Sequence, residues 1–233
     1  MIVLTSLMPF GSARSLGQAV GEGLYYFNGR MRRVAARQSV QSAGELMSEI
    51  GRVWTLPRAK TPAMLAADGL GCVEDPLASG QGVIVLGPHF GNCELLGMHV
   101  ATLGNLVALY QPIPLKKLDQ LVQRGRRCTG GKLVPTTPRG IAELFRSVRA
   151  GGITSILPDQ VPNDENVGIN APFFSVESFT AVRASNLIKK SGATPVMGTV
   201  LRTEKRFRLV YQPAEPGVQS DDMLEALSAI NLG

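Results

Sequence analysis

The feature that most constrains the fold is an uninterrupted apolar segment, GVIVLGP at residues 82–88, which has the length of one strand. A strand with this composition is covered on both faces, because a half-exposed strand alternates apolar and polar residues. LVALY (106–110) and ITSIL (153–157) have the same character, and IAELFRSVR (141–149) between them has clear helical periodicity. Strands that alternate with helices predict a mostly parallel sheet.

Further segments extend this pattern in both directions. Thr180 is placed to cap one of the predicted helices, and Gly192 is placed to end it. The predicted helices cover residues 92–103, 116–128, 181–191 and 220–230, and two more strands are predicted over 193–202 and 207–213.

Residues 1–60 are predicted to be helical, over 11–27 and 31–54, and residues 55–81 form a connection rich in Pro, Gly and Asp. The helices either pack on the main domain or lie in a membrane interface with their arginines toward lipid headgroups. We therefore expect a helical segment over 1–60, with binding to a membrane surface as one of its two alternatives, and one α/β domain over 61–233. The predicted fold class is α/β, a mostly parallel central sheet flanked by helices, with an N-terminal helical extension.

Positive charge is concentrated in the middle of the chain. The formal net charge is +6, yet residues 101–150 alone hold nine Lys or Arg against Asp119 and Glu143. Such a basic band favours binding to a polyanion, namely nucleic acid, phospholipid headgroups or an acidic carrier protein. A solvated basic face explains the band equally well. A nucleic-acid binder is disfavoured because no such motif is present and only 6% of the residues are aromatic.

The cysteines and the hydropathy exclude several other classes of protein. Cys72, Cys93 and Cys128 are far apart and lack CxxC spacing, which predicts reduced thiols without a disulfide framework or a metal site. No apolar run approaches the ~20 residues that span a bilayer, and the N-terminus does not resemble a secretory signal. A serine hydrolase is disfavoured because no GxSxG motif occurs.

The strongest candidates for chemistry follow the first buried strand. His89 comes directly after it and Glu94 lies five residues later, in PHFGNCE (88–94). On one continuous helix this spacing separates two side chains by about 140°, so they meet only if His89 lies in a turn. A carboxylate that holds an imidazole fixes its tautomer, which suits a general base for a hydroxyl group. The alternative is a turn histidine and a glutamate favoured by the helix dipole, without a catalytic role.

The wider sequence resembles a known family. HFGNCE (89–94) is similar to the HX4(D/E) signature of glycerolipid-type acyltransferases, and more narrowly to the HFGNWE-like motif of the lipid A biosynthesis (lauroyl/myristoyl) acyltransferases. Other elements of that family are matched in the same order across about residues 10–215. They are RRVA (32–35), LYQP (109–112) with Gln111 where an Arg is common, QRGRR (123–127), LPDQ (157–160), GINAPFFSVESFT (168–180) and GATPV (192–196).

The resemblance implies an α/β/α fold and peripheral binding at the cytoplasmic face of the bacterial inner membrane. It also implies transfer of a fatty acyl chain from acyl carrier protein, or from acyl-CoA, to a hydroxyl of a lipid A precursor or related glycolipid. His89 would deprotonate that hydroxyl and Glu94 would orient the imidazole, without a metal or a further cofactor. The expected partners are the acidic carrier protein, anionic membrane lipid and the glycolipid acceptor, and not nucleic acid.

Further side chains are candidates for substrate contacts. Arg126 and Arg124 either bind the oxyanion or the acceptor's phosphate, which a guanidinium suits, or form a basic helix face. Asp159 and Gln160 end a strand, where they position the acceptor, bind Arg or cap the next loop. His99 is assigned to packing. The remaining candidates are Phe90, Asn92, Phe173 and Phe174, of which the aromatic residues also suit an ordinary core.

The chain also departs from the family pattern. The pattern continues to a tryptophan-rich segment with an HRRW-like motif that this sequence lacks, and many relatives carry a longer hydrophobic N-terminal helix. Two alternatives therefore stand beside the predicted acyltransferase. One is an acyltransferase for another membrane lipid, such as a phosphatidylinositol mannoside or an ornithine-type lipid, and the other is a non-catalytic lipid- or carrier-binding relative.

Overall fold

The described residues form one main sheet and two smaller pairs of strands. The strands are β1 (Leu65–Asp68), β2 (Val83–Leu86), β3 (Val107–Tyr110), β4 (Lys132–Pro135), β5 (Ile153–Ile156), β6 (Gly168–Phe173), β7 (Val176–Ala181), β8 (Thr194–Arg202) and β9 (Phe207–Pro213). Five of them form the main sheet in the order β1-β9-β8-β2-β5. All neighbours in it are parallel except β8 and β9, which run antiparallel.

Two smaller pairs of strands complete the sheet structure. β3 and β4 are parallel, and a bridge between Leu106 and Ile153 joins β3 to the edge strand β5. β6 and β7 form a separate antiparallel hairpin. The carboxyl ends of β2, β5, β8, β3 and β4 therefore lie along one edge, which is where ligands bind in open α/β sheets.

Helices surround this sheet. They are α1 (Phe10–Phe27), α2 (Gly29–Val34), α3 (Arg37–Val53), α4 (Gly71–Ala78), α5 (Cys93–Leu103), α6 (Lys116–Arg127), α7 (Pro138–Arg149), α8 (Arg183–Ser191) and α9 (Met223–Leu232). This computed structural model describes residue 5 and residues 8–34, 36–54, 65–162, 164–174, 176–203 and 206–232. The predicted fold class, a mostly parallel sheet flanked by helices with an N-terminal helical region, is confirmed.

Strand β2 lies at the centre of the core. Its four residues, VIVL, have no exposed surface. Val83 and Val85 pack with α4 and α5 on one face, while Ile84 and Leu86 pack with α7, α8 and α9 on the other. Each fully buried side chain of this size contributes roughly 1.5–3 kcal/mol. This two-sided burial is why the segment has no polar alternation in the sequence.

Several sequence predictions need correction. The predicted connection over 55–81 contains β1 and α4, and its first ten residues lie outside the described parts of the chain. Thr180 belongs to β7 and does not cap α8, because the preceding segment forms the β6–β7 hairpin. Gly192 does end α8, with φ of 68°. The predicted domain boundary at 60/61 falls among residues that the structure does not describe and stays a prediction.

The N-terminal helices α1 and α3 pack closely because glycines line their contact. A Cβ at Gly17 would lie 2.3 Å from the carbonyl oxygen of Gly44, so neither position admits a side chain without moving the helices apart. None of the described helices has the length and apolar character needed to cross a bilayer.

Candidate active site

His89 and Asp159 meet at the carboxyl edge of the sheet. Leu86 at the end of β2 pairs in parallel register with Ile156 at the end of β5, and the two side chains follow three residues later on each strand. His89 Nδ1 lies 2.6 Å from Asp159 Oδ1, and the His89 amide donates to Oδ2 at 2.7 Å. The strand register therefore pairs two residues that are 70 positions apart in the chain.

The charge on Asp159 determines the tautomer of the ring. Burial raises the pKa of Asp159, but the hydrogen bonds from the ring and amide of His89 outweigh burial and lower it below its usual value. An ionised carboxylate only accepts hydrogen bonds, so Nδ1 donates its proton and Nε2 becomes the basic nitrogen. The His89 side chain is 36% exposed, which leaves the ring accessible to a substrate.

Glu94 does not hold the imidazole, which corrects the predicted contact between His89 and Glu94. Arg126 donates from Nε to the two carboxylate oxygens of Glu94 at 3.2 and 3.1 Å, and from Nη2 to Oε1 at 2.5 Å. Trp54 Nε1 donates to Oε2 at 3.1 Å. The acidic residue of the motif therefore ties α6 and the end of α3 to the start of α5.

Arg126 and Arg124, which were predicted to act together, lie on different sides of α6. Burial lowers the pKa of Arg126, but its hydrogen bonds to Glu94 outweigh burial, so the guanidinium is firmly charged. It also lies 5.8 Å from the ring centroid of Tyr110. Arg124 is exposed, and it forms no hydrogen bond or ion pair with Glu94. Only Arg126 is brought to the Glu94 side of the site.

A cavity of about 350 Å³ opens beside the His89 ring. Phe90 and Phe174 are 61% and 67% exposed, so they are not ordinary core residues. The rings of Phe173 and Phe174 meet edge to face with centroids 5.1 Å apart. Gln160 is exposed directly after Asp159. The apolar wall of the cavity consists of Phe90, Phe173, Phe174, Met197 and Ile230.

The turn that carries His89 is held tightly at its far end. Gly91 has φ of 64°, and a Cβ there would lie 1.7 Å from the carbonyl oxygen of Val200, so only glycine fits. Asn92 is fully buried: its Oδ1 accepts from Leu95 N at 3.1 Å and its Nδ2 donates to Glu49 at 2.9 Å. This geometry favours a helix-capping role for Asn92 over the predicted substrate contact.

Glu49 links the N-terminal helices to this turn. It has no exposed surface, and besides Asn92 it accepts from Arg14 Nε at 3.1 Å and from Arg202 Nε at 3.1 and 3.2 Å. One buried carboxylate therefore joins α1, α3, the His89 turn and β8. Together with the hydrogen bond from Trp54 to Glu94, this attaches the second half of the HFGNCE segment, at Asn92 and Glu94, to α3.

A cysteine nucleophile, a metal site and a second cavity are less suited to this site than His89 and Asp159. Burial, with the charge of Glu94 as the next cause, raises the pKa of Cys93 to about 11, so this thiol is protonated near neutral pH and a poor nucleophile. No group of three His, Cys, Asp or Glu that could hold a metal occurs among the described residues. A larger apolar cavity of about 610 Å³ lies between α7 and α8, but neither His89 nor Asp159 lines it.

Comparison with known sequences decides the family. The family model described as bacterial lipid A biosynthesis acyltransferase matches residues 26–232. The chain belongs to this family. It is 25% identical over 188 residues to the lipid A biosynthesis palmitoleoyltransferase of Escherichia coli (strain K12) and, equally, to a lipid A biosynthesis acyltransferase of Shigella flexneri. Each match covers 79% of this chain and 60% of the relative, so the chain spans less than two thirds of the length of these curated relatives.

In this member of the lipid A biosynthesis acyltransferase family, sequence reasoning missed the pairing of His89 with Asp159 and the supporting roles of Glu49 and Trp54. One signal was present for the pair. Pro88 precedes His89 and Pro158 precedes Asp159, each two residues after the end of a buried strand. No comparable signal marks Glu49 or Trp54, because their partners depend on how α3 packs against the domain.

Proposed function

We propose that this chain transfers a fatty acyl group from a thioester donor to a hydroxyl of a lipid A precursor or related glycolipid. The observation that carries the proposal is the hydrogen bond from His89 Nδ1 to Asp159, which leaves Nε2 as a base beside an apolar cavity. The donor is acyl carrier protein, with acyl-CoA as the alternative. Asp159 takes the orienting role that the sequence suggested for Glu94.

The proposed reaction needs one proton relay. His89 Nε2 takes the proton of the acceptor hydroxyl as the oxygen attacks the thioester carbonyl, and a C–O bond forms. The tetrahedral oxyanion then collapses, the C–S bond breaks, and the imidazolium returns the proton to the leaving thiolate. Asp159 remains ionised throughout and stabilises the imidazolium that forms.

The surrounding residues suit the two substrates. The aromatic wall of Phe90, Phe173 and Phe174 offers an apolar surface to the acyl chain. Arg126 uses Nε and Nη2 on Glu94, and its remaining Nη1 is the proposed donor to a phosphate of the acceptor or to the oxyanion. Gln160 lies exposed beside Asp159 and is proposed to contact the acceptor.

The function is tested with purified protein, an acyl-loaded carrier protein and a lipid A precursor, followed by mass spectrometry. The proposal expects the glycolipid to gain the mass of one acyl chain and the carrier to release a free thiol in equal amount. A parallel reaction offers phosphatidylinositol mannoside and ornithine lipid as acceptors. Transfer to one of these alone would reassign the acceptor, and no transfer to any acceptor would identify a non-catalytic relative.

The tip of the N-terminal helices is the proposed site of peripheral membrane binding at the cytoplasmic face of the inner membrane. Phe27 is 94% exposed, and Leu24 and Tyr26 are each 49% exposed. Three exposed arginines follow in α2, namely Arg30, Arg32 and Arg33. Aromatic side chains mixed with arginines suit the headgroup region of an anionic bilayer.

Replacement of Phe27 by serine is expected to weaken binding to vesicles that contain phosphatidylglycerol by about tenfold or more. Burial of an exposed phenyl ring contributes roughly 1.5–3 kcal/mol, and the fold loses nothing because the ring is exposed. Leu224→Ser on α9, another exposed apolar position, is the matched control and should bind like the wild type. Vesicle sedimentation measures both, and equal binding by Phe27→Ser would rule out this tip as the membrane contact.

A further inference from the structure

The exposed face of α6 carries positive charge without compensation. Lys116, Lys117, Arg124 and Arg127 are all exposed, and none of them takes part in a side-chain hydrogen bond or ion pair with another described residue. Gln120 lies among them and is also exposed. An open depression at this surface is lined by Gln120, Gln123, Arg124, Arg127 and Cys128.

The single acidic residue of α6 does not neutralise this face. Asp119 accepts hydrogen bonds from Tyr110 Oη, from the amide of Ile113 at 2.8 Å and from Gln123 Nε2 at 2.7 Å. The hydrogen bond from Tyr110 is the largest cause that lowers the pKa of Asp119 below its usual value, so its charge is already engaged. The outer face of α6 therefore has a positive electrostatic potential, which attracts an acidic partner and raises its association rate.

The opposite face of α6 belongs to the site. Arg126 binds Glu94, and Gly125 lies so close to Trp54 that a Cβ there would be 2.3 Å from its ring. The basic face and the site are thus separated by one helix, whose diameter with side chains is about 10–12 Å. A partner bound on the outside would therefore lie one helix diameter from the pair of Arg126 and Glu94.

We infer that the outer face of α6 is the docking surface for an acidic, acyl-loaded carrier protein. This inference rests on the proposed function and names the surface through which the donor arrives. The composition of the face favours a protein over a membrane, because the exposed side chains of the helix are Lys, Arg and Gln without an interleaved aromatic. The tip around Phe27 differs because it combines arginines with exposed aromatic side chains, and it is the surface proposed to bind lipid.

The test uses the full chain with three charge reversals, Lys116→Glu, Lys117→Glu and Arg127→Glu. A matched triple variant, Arg30→Glu, Arg32→Glu and Arg33→Glu, reverses the same number of charges at the tip. Fluorescence anisotropy with a labelled acyl carrier protein at low salt measures binding directly. Activity is then measured with the acyl chain on the carrier and, separately, on a small pantetheine thioester.

The α6 variant is expected to bind the carrier about tenfold more weakly or worse and to lose kcat/KM with the carrier-borne donor to the same extent. It keeps its activity with the small thioester and its vesicle binding. The tip variant is expected to lose vesicle binding and to keep carrier binding. Equal carrier binding by the α6 variant and the wild type would overturn the inference, as would loss of vesicle binding instead. If the wild-type chain binds the carrier but transfers no acyl group, the proposed function is wrong, while the docking surface is still supported.

Discussion

Replacement of His89 by alanine is expected to lower acyl transfer by roughly 10²- to 10⁴-fold, the range typical of a lost general base. In the proposed reaction, Nε2 of the imidazole accepts the hydroxyl proton. Among the described side chains that line the cavity, His89 is the one that pairs a basic nitrogen with a hydrogen bond to Asp159. Because the His89 side chain is 36% exposed, its removal leaves no large cavity in the core. Thermal unfolding should therefore stay close to that of the wild type.

The chain provides a matched control for this experiment in its second histidine. His99 is buried, its Nδ1 lies 2.8 Å from Tyr211 Oη, and burial lowers its pKa. His99→Gln should lower stability while the folded protein keeps its turnover, measured with the same thioester donor below the unfolding transition. Turnover near the wild-type level in His89→Ala would remove the imidazole from the reaction.

Replacement of Glu49 by alanine is expected to have the largest effect on stability, a loss of about 3–5 kcal/mol. The fully buried carboxylate is hydrogen-bonded to Arg14 and Arg202, whose side chains are 17% and 14% exposed. Its removal leaves two largely buried guanidinium groups without their main anion. Urea unfolding followed by circular dichroism measures the loss, provided that the transition is two-state.

Glu22 offers the exposed counterpart to Glu49. It pairs with Arg37, and both side chains are largely accessible, at 36% and 49%. A pair of this kind contributes about 0–1 kcal/mol, so Glu22→Ala should unfold almost like the wild type. If Glu49→Ala behaved like Glu22→Ala, the buried cluster would not be what joins the N-terminal helices to the His89 turn.

Much of the fold could be predicted because buried strands and helices have characteristic apolar patterns in the sequence. β2, β3 and β5 have apolar runs that only two-sided burial explains, and α7 has a regular apolar stripe. β1 and α4 were missed because their surroundings are rich in Pro and Gly, and Pro76 lies inside α4 itself. The β6–β7 hairpin was missed because Pro172 lies within β6, which disfavours a strand, and because β7 does not alternate apolar and polar residues.

The residues of the candidate site were singled out from the sequence, but their contacts with one another were not. His89, Glu94, Asp159 and Arg126 were all named from the sequence, yet Glu94 was predicted to contact His89 because it follows five residues later, across a turn and in an HX4(D/E)-like motif. Which carboxylate meets the ring depends on β5 lying beside β2, and hydrophobic periodicity does not contain strand order. Glu49 and Trp54 were missed because their contacts depend on how α3 packs against the domain, and periodicity does not contain this packing either.

The central claim is that Asp159, and not Glu94, fixes the tautomer of His89. It is tested most directly by ¹⁵N NMR of selectively labelled histidine, because the chain contains only His89 and His99. In the Asp159→Asn variant the ring nitrogen resonances of His89 should move to a different tautomer pattern, while in Glu94→Gln they should match the wild type. A tautomer change in Glu94→Gln together with an unchanged ring in Asp159→Asn would contradict the account.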